Sequence, residues 1–130
     1  MITGGKLTHV DVRKDSDEPI KGLSINITIN DVVVKGEQID VRYTYVATYA
    51  DKVGVLTMAG SLFAKEDAKK AKDIGDTWQK TKKLPDEFAE LALNNINYAC
   101  GTNGVLITRA IGLMAPLAPP TITLAKAGKQ

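Results

Sequence analysis

The chain has 130 residues, of which 44% are apolar and 25% are charged. This length suits one domain, and the composition lies far from the weakly hydrophobic, highly charged range of disordered chains. Lysine and arginine total 17 against 15 aspartates and glutamates, so no broad field of one sign predicts a nucleic-acid partner or an acidic membrane. We expect a single folded domain over residues 1–130.

Three sequence features bear on the compartment. The longest apolar run, near residues 111–117, is interrupted by Pro116 and falls far short of the roughly 20 residues that a membrane span needs. Residues 1–6 have neither the basic nor the apolar region of a secretory signal. Cys100 has no second cysteine with which to form an internal disulfide, in keeping with a reducing compartment. We therefore expect a cytoplasmic protein without a membrane span.

Alternating apolar and polar residues predict four strands, at about 6–14, 22–34, 38–50 and 53–64. In the second strand the alternation shifts at Asn30-Asp31, which indicates either a bulge in one long strand or a short turn dividing it. The links are short, and short links favour antiparallel neighbours. The predicted topology is therefore a four-stranded antiparallel meander.

Helical spacing replaces alternation after Lys65. The charged stretch at about 66–78 predicts a short surface helix anchored by Trp78. A longer helix is predicted at about 85–112, with Pro85 at its start, and prolines from position 116 onward forbid its continuation. The predicted fold class is α+β, with the meander packed on the long C-terminal helix and an extended tail at 113–130.

Element lengths predict self-association. The third strand and the long helix each span about 40 Å, so the chain forms a flat slab. One helix about 10 Å wide does not cover four strands spaced nearly 5 Å apart, so part of the apolar sheet face needs another cover. We expect a homo-oligomer, and its predicted interface lies on the long helix, at Phe88, Leu91, Ile96 and Leu106.

Several segments, taken in order and spacing, resemble the SecB family of export chaperones. They are the strand at 24–30, the strand at 41–45, the hairpin into 55–57, and 98–112 running into 117–120. The resemblance implies a dimer or a dimer of dimers. It also implies ATP-independent holding of unfolded polypeptides in apolar grooves, and in the export chaperones this activity serves protein transport. We expect no cofactor, and no metal either, because one histidine and one cysteine do not supply the ligands of a tetrahedral zinc site.

The apolar residues that regular structure is expected to cover least are the predicted polypeptide-binding set: Leu113, Met114, Leu117, Pro119, Pro120, Ile122 and Leu124. An alternative of about equal weight is that these side chains seal the domain edge or a subunit contact. Exposed apolar surface of this kind is what a holdase requires.

The sequence departs from the proteobacterial export chaperone in two places. Where that protein carries an acidic strand that docks the SecA motor, this chain has Met58, and no acid lies between Lys52 and Lys65. The end of the tail is basic. A SecA-type motor is therefore not expected, and a general or archaeal-type SecB-like protein, or a chaperone of a toxin–antitoxin pair, fits better.

The sequence predicts no enzyme. His9 and Cys100 are each the only residue of their type, and no acid lies at a spacing that would pair with either on one element. Two alternatives to a holdase remain: a structural or assembly subunit, and a hot-dog-type acyl thioesterase. The thioesterase would need an acid on its long helix, where the candidates are Asp86, Glu87 and Glu90.

Overall fold

A computed structural model describes residues 1–113 and residue 116 of the chain. The strands are β1 (Ile2–Lys14), β2 (Leu23–Lys35), β3 (Gln38–Tyr49) and β4 (Gly54–Lys65), and the helices are α1 (Ala68–Thr81) and α2 (Asp86–Arg109). A short 3₁₀ turn, Ala50–Lys52, separates β3 from β4. The predicted α+β class, with four antiparallel strands and a long final helix, is confirmed.

The predicted meander is correct for β2, β3 and β4 and wrong for β1. The strand order is β1-β4-β3-β2, so β1 lies on the far edge, antiparallel to β4, rather than beside β2. The link from residue 15 to residue 22 is too long for a tight hairpin, which leaves β1 free to cross the sheet end. At Gly60 an added Cβ would collide with the backbone of Lys6 and Leu7, so this glycine allows β1 to lie close to β4.

The irregularity predicted in the second strand is a bulge. The register of β2 on β3 shifts between Ile29 and Asp31, and Val32 then lies opposite Val41. Because one extra residue is inserted, Val32 faces the same side of the sheet as Ile29. The bulge thus keeps the apolar residues of the whole strand on one face.

Both helices pack on one face of the sheet. The core between the layers includes these fully or nearly buried side chains: Tyr43, Tyr45, Leu56, Met58, Ile74, Trp78, Phe88 and Ile96. Trp78 is 5% exposed, so its predicted role as the anchor of the short helix is confirmed. Helix α1 contacts the second half of β2, where Gly75 lies against Val34, and α2 contacts β4 and β1.

The start of α1 differs slightly from the prediction. The side chain of Asp67 accepts a hydrogen bond from the Lys70 backbone N–H at 2.8 Å and so caps the helix. Capping by aspartate satisfies one of the free N–H groups of the first turn. Across the described residues, no helix is long and apolar enough to span a membrane.

The chain turns back along α2 after Arg109. The Leu113 backbone N–H donates to the Thr108 carbonyl oxygen at 2.9 Å, and Leu113 is buried beside Tyr49 and Val53. Pro116 is fully buried and lies close to Gly104 of α2. The C-terminal segment therefore begins on the helix-covered face, in the layer of the helices.

Candidate functional site

The predicted polypeptide-binding set divides between one buried residue and six outside the described part of the chain. Leu113 is 5% exposed and packs inside the small cluster with Tyr49 and Val53, so its side chain does not offer a free surface. The other six residues lie outside the described residues: Met114, Leu117, Pro119, Pro120, Ile122 and Leu124.

The predicted interface residues divide between the two sides of α2. Phe88 is 4% exposed and Ile96 is 1% exposed, and both face the sheet of their own chain. Leu91 and Leu106 are 40% and 70% exposed on the outer side. Leu106 lies about five full turns after Phe88, on the same side of an ideal helix, but the buried stripe advances in steps of four through Ile96 and Cys100 to Thr108 and so turns away from Leu106. Of the four predicted interface residues, only Leu91 and Leu106 remain available for a contact between subunits.

Tyr98 joins Leu91 and Leu106 on the outer side of α2. It is 73% exposed, and spacings of seven and eight residues place the three side chains on one face. We call these residues the outer stripe. No charged residue occurs in α2 between Glu90 and Arg109, so the outer stripe lies on an uncharged helix surface about 27 Å long. Large apolar side chains on an uncharged exposed face are typical of interaction surfaces.

A second apolar surface follows the first half of β2. Four aliphatic side chains, which we call the β2 strip, face the helix side of the sheet and are half-buried: Leu23, Ile25, Ile27 and Ile29. Their cross-strand partners on β3 are buried, from Tyr43 at the Ile29 end to Tyr49 at the Leu23 end. The strip stays partly open because α1 lies against the other half of β2 and α2 lies on β4 and β1.

The backbone of β2 adds polar groups to this apolar surface. It is an edge strand, and no described residue pairs with its outer side. An edge strand presents unpaired N–H and C=O groups at which another extended chain can add. The other edge, β1, is broken by two register irregularities, between Ile2 and Gly4 and between Leu7 and His9. In β2 the pairing is regular from Leu23 to Ile29, ahead of the bulge, and this regular half of the edge carries the apolar strip.

Pro116 contacts the β3 residue that pairs with Ile27 of the β2 strip. Its carbonyl oxygen accepts a hydrogen bond from the Tyr45 hydroxyl at 3.3 Å, and Tyr45 is the cross-strand partner of Ile27. Directly opposed side chains in an antiparallel pair lie about 5 Å apart. Pro116 is thus linked to β3, the strand that adjoins the strip.

The candidate catalytic residues of the sequence do not converge. His9 is exposed on β1, whereas Cys100 is fully buried under the sheet. Burial raises the pKa of the Cys100 thiol to about 11, which disfavours the thiolate that a nucleophile needs. Asp86 and Glu87 are exposed in the first turn of α2. Within the described residues, no three histidine, cysteine or acidic side chains gather in a way that would hold a metal ion.

Sequence reasoning missed the β2 strip and Tyr98 as surface features. The isoleucines of β2 alternate as in any half-buried strand, and only the positions of the helices show that they remain partly open. For Tyr98 the sequence did contain a signal. A surface helix normally carries charged residues on its solvent side, but the run between Glu90 and Arg109 has no charged residue on any side.

No family model matches the chain, and no curated protein matches it. Among solved structures, the chain is similar to a SecB-like chaperone of Mycobacterium tuberculosis, determined in complex with a ChAD peptide from an antitoxin. The two chains are 14% identical and superpose with a TM-score of 0.49, over 95% of this chain and 88% of the other.

Proposed function

We propose that the protein is an ATP-independent holdase that binds extended, unfolded polypeptide along the edge of β2. The observation that carries the proposal is that the half-open β2 strip lies on the regular first half of an edge strand. A client that adds as a strand would pair its backbone with β2 and place every second side chain over the strip.

Strand addition suits a protein that must accept many sequences. The main-chain hydrogen bonds supply affinity and do not depend on client side chains, while Ile25, Ile27 and Ile29 offer non-directional apolar contact. At about 3.4 Å per residue, the half-strand from Leu23 to Asn30 spans roughly 27 Å. This length matches about eight residues of an extended client.

We also propose that the tail residues predicted to bind polypeptide extend this surface. Residue 117 follows Pro116 directly in the chain, and Pro116 accepts a hydrogen bond from Tyr45, the β3 residue opposite Ile27 of the strip. Leu117, Pro119, Pro120, Ile122 and Leu124 then complete the client site together with β2.

The outer stripe of α2 is the proposed contact with a second copy of the chain. Leu91, Tyr98 and Leu106 would pack against the same residues of the partner around a twofold axis, as in most homodimers. This contact leaves the β2 edge of each subunit open. A dimer therefore offers two client sites.

Suppression of aggregation tests the holdase proposal. The full-length protein should prevent aggregation of a chemically unfolded client in the absence of nucleotide. Ile25→Lys should weaken this protection, since it places a charge on the β2 strip, whereas Asn26→Lys places the same charge on the opposite, exposed face of the strand. Thermal unfolding of both variants checks that the fold persists.

Two further variants test the tail. Leu117→Asp and Ile122→Asp should each reduce protection while the oligomer persists in sedimentation. If the wild-type protein suppresses no aggregation, or if Asn26→Lys is as defective as Ile25→Lys, the holdase proposal or its assignment to β2 is wrong.

A further inference from the structure

The helix-free face of the sheet carries a depression that the proposed function does not use. It consists of two adjoining cavities of about 510 Å³ and 440 Å³, which share Asp40, Arg42 and Phe63 in their linings. These residues belong to the central strands β3 and β4. The depression therefore lies on the opposite side of the sheet from the β2 strip.

The strand register explains the shape of this depression. One row across the sheet contains Gly4, Phe63, Asp40 and Val33, and residues two positions away form the neighbouring row of the same face. Gly4 has no side chain, and a Cβ added there would meet nothing within 4 Å. One side of the Phe63 ring consequently borders open space, so that an apolar group of a ligand can pack against it.

Basic side chains surround Phe63. The linings of the two cavities contain four basic residues, Lys6, Lys35, Arg42 and Lys65, and two acidic residues, Asp31 and Asp40. We call the depression with these residues the basic pocket.

The positive charges of the basic pocket are weakly compensated. The Arg42–Asp40 and Lys65–Glu37 pairs are 3.7 Å and 3.8 Å long, and their cations are more than half exposed. Such exposed pairs contribute little and leave the cations available to a ligand.

The pocket also offers a hydrogen-bond acceptor. The Oδ1 atom of Asp40 is buried and has no hydrogen-bond partner among the described residues. A buried acceptor without a donor costs free energy, and a rotation of the carboxylate that exposes this oxygen to an incoming N–H group would satisfy it. A peptide backbone supplies such a group, whereas a phosphate does not.

We propose that the basic pocket docks an acidic peptide segment of a partner protein. An apolar side chain of the segment packs on Phe63, carboxylates on either side meet Lys35, Arg42 and Lys65, and a backbone N–H donates to Asp40. Charge complementarity selects an acidic segment over a basic one. Nucleic acid fits less well, because two carboxylates of the pocket repel phosphates and only Phe63 is free for stacking. The other aromatic residue of the linings, Tyr43, is buried and its hydroxyl meets Cys100 on the helix side.

Docking on this face leaves the β2 strip free. A client and the acidic segment would bind opposite faces of one sheet, so the protein would bring the two together. The docking site is separate from the holdase proposal, and either stands if the other fails.

Fluorescence anisotropy with the full-length protein tests the inference. The probe is a labelled peptide in which a leucine is flanked by glutamates, compared with the same peptide carrying lysines and with a single-stranded oligonucleotide. The acidic peptide should bind most tightly, and its affinity should fall as salt rises from about 0.1 M to about 1 M, where the screening length drops from about 10 Å to about 3 Å.

Variants locate the binding. Arg42→Glu should weaken the binding of the acidic peptide by about tenfold or more, as expected when a complementary charge is reversed. Gly4→Trp should weaken it similarly, because it fills the space beside Phe63. Arg13→Glu is the matched control: Arg13 lies on the same face opposite Val55, far from Phe63 along β4, and pairs with Asp15. It should leave binding unchanged.

Four results would overturn the inference. The first two are equal binding of the acidic and basic peptides and tighter binding of the oligonucleotide. The third is an Arg13→Glu defect as large as that of Arg42→Glu. The fourth is a changed oligomer mass in Arg42→Glu, which would mean that a second copy of the chain covers the basic pocket. Ile25→Lys separates the two proposals: if it weakens the acidic peptide as much as Arg42→Glu does, the peptide is bound as a client rather than at the basic pocket.

Discussion

The hydroxyl of Tyr45, on the central strand β3, donates a hydrogen bond to the carbonyl oxygen of Pro116 at 3.3 Å. Tyr45 is fully buried, and its cross-strand partner Ile27 belongs to the β2 strip. This contact ties Pro116 to β3, the strand that adjoins the proposed client site.

Tyr45→Phe should lower the free energy of unfolding by about 1 kcal/mol, because it removes one buried hydrogen bond without changing the packing volume. The matched control is Tyr43→Phe on the same strand and face, whose hydroxyl only accepts a weak bond from the Cys100 thiol at 3.8 Å. Urea unfolding measures both. Equal losses in the two variants would contradict the assigned importance of the Pro116 contact.

Gly104→Ala should destabilise the protein, although alanine favours a helix over glycine by about 1 kcal/mol. A Cβ at this position would lie 2.5 Å from Cγ and 2.8 Å from Cδ of Pro116, and relieving such overlap typically costs about 1–3 kcal/mol. The same substitution in a Pro116→Ala background should be neutral or stabilising, since the ring that it meets is gone. A double-mutant cycle by urea unfolding tests the contact, and additive effects would contradict it.

Stability should fall in alkaline solution. Burial raises the pKa of Cys100 from 9.0 to about 11, and it raises those of Tyr43 and Tyr45 further. Between these pH values the unfolded chain has released protons that the folded protein retains, so the free energy of unfolding decreases as pH rises. For the Cys100 thiol the slope reaches about 1.4 kcal/mol per pH unit.

Urea unfolding between about pH 8 and pH 11 measures this dependence, over the range that separates an ordinary thiol pKa from the raised one. In Cys100→Ala, the free energy of unfolding should depend less on pH in the range below the pH at which the tyrosines lose their protons. An unchanged profile in Cys100→Ala would show that this thiol is not the titrating group.

Leu106→Lys and Tyr98→Lys should each dissociate the oligomer, because they place charges on the apolar outer stripe that we assign to the twofold contact. Gln79→Lys is the control, since Gln79 is exposed on α1, away from this surface. Sedimentation distinguishes the oligomer from a monomer of 14.0 kDa. If the wild-type protein sediments as a monomer at micromolar concentration, the proposed interface is wrong.

The strands could be predicted from the sequence, because side chains alternate between the two faces of a strand and a period of two therefore shows which residues share a face. The alternation of Ile25, Ile27 and Ile29, followed by its shift at Asn30-Asp31, located the bulge within one residue. The partner of β1 was not predictable in this way, since the pairing of Lys6 with Ser61 joins residues far apart in the chain. The structure shows why β1 can pair with that edge of β4: Gly60 has no side chain that would collide with the β1 backbone.

The candidate surfaces follow from tertiary placement rather than from local pattern. Phe88 and Ile96 are of the same apolar type as Leu91 and Leu106, but the buried stripe of α2 steps by four residues and so drifts around the helix, covering the first pair and leaving the second exposed. The β2 strip is open because α1 and α2 contact other parts of the sheet. Likewise, Phe63 adjoins Gly4 only through the register of β1 on β4.

The central claim is that the edge of β2 holds an extended client, and amide hydrogen exchange tests it most directly. When the protein is saturated with an unfolded polypeptide, outward-facing amides within residues 23–30 should exchange about tenfold more slowly or better, because new interstrand hydrogen bonds protect them. Amides of β1 should exchange as before. Protection confined to β1, or none in β2 while aggregation is still suppressed, would contradict the account.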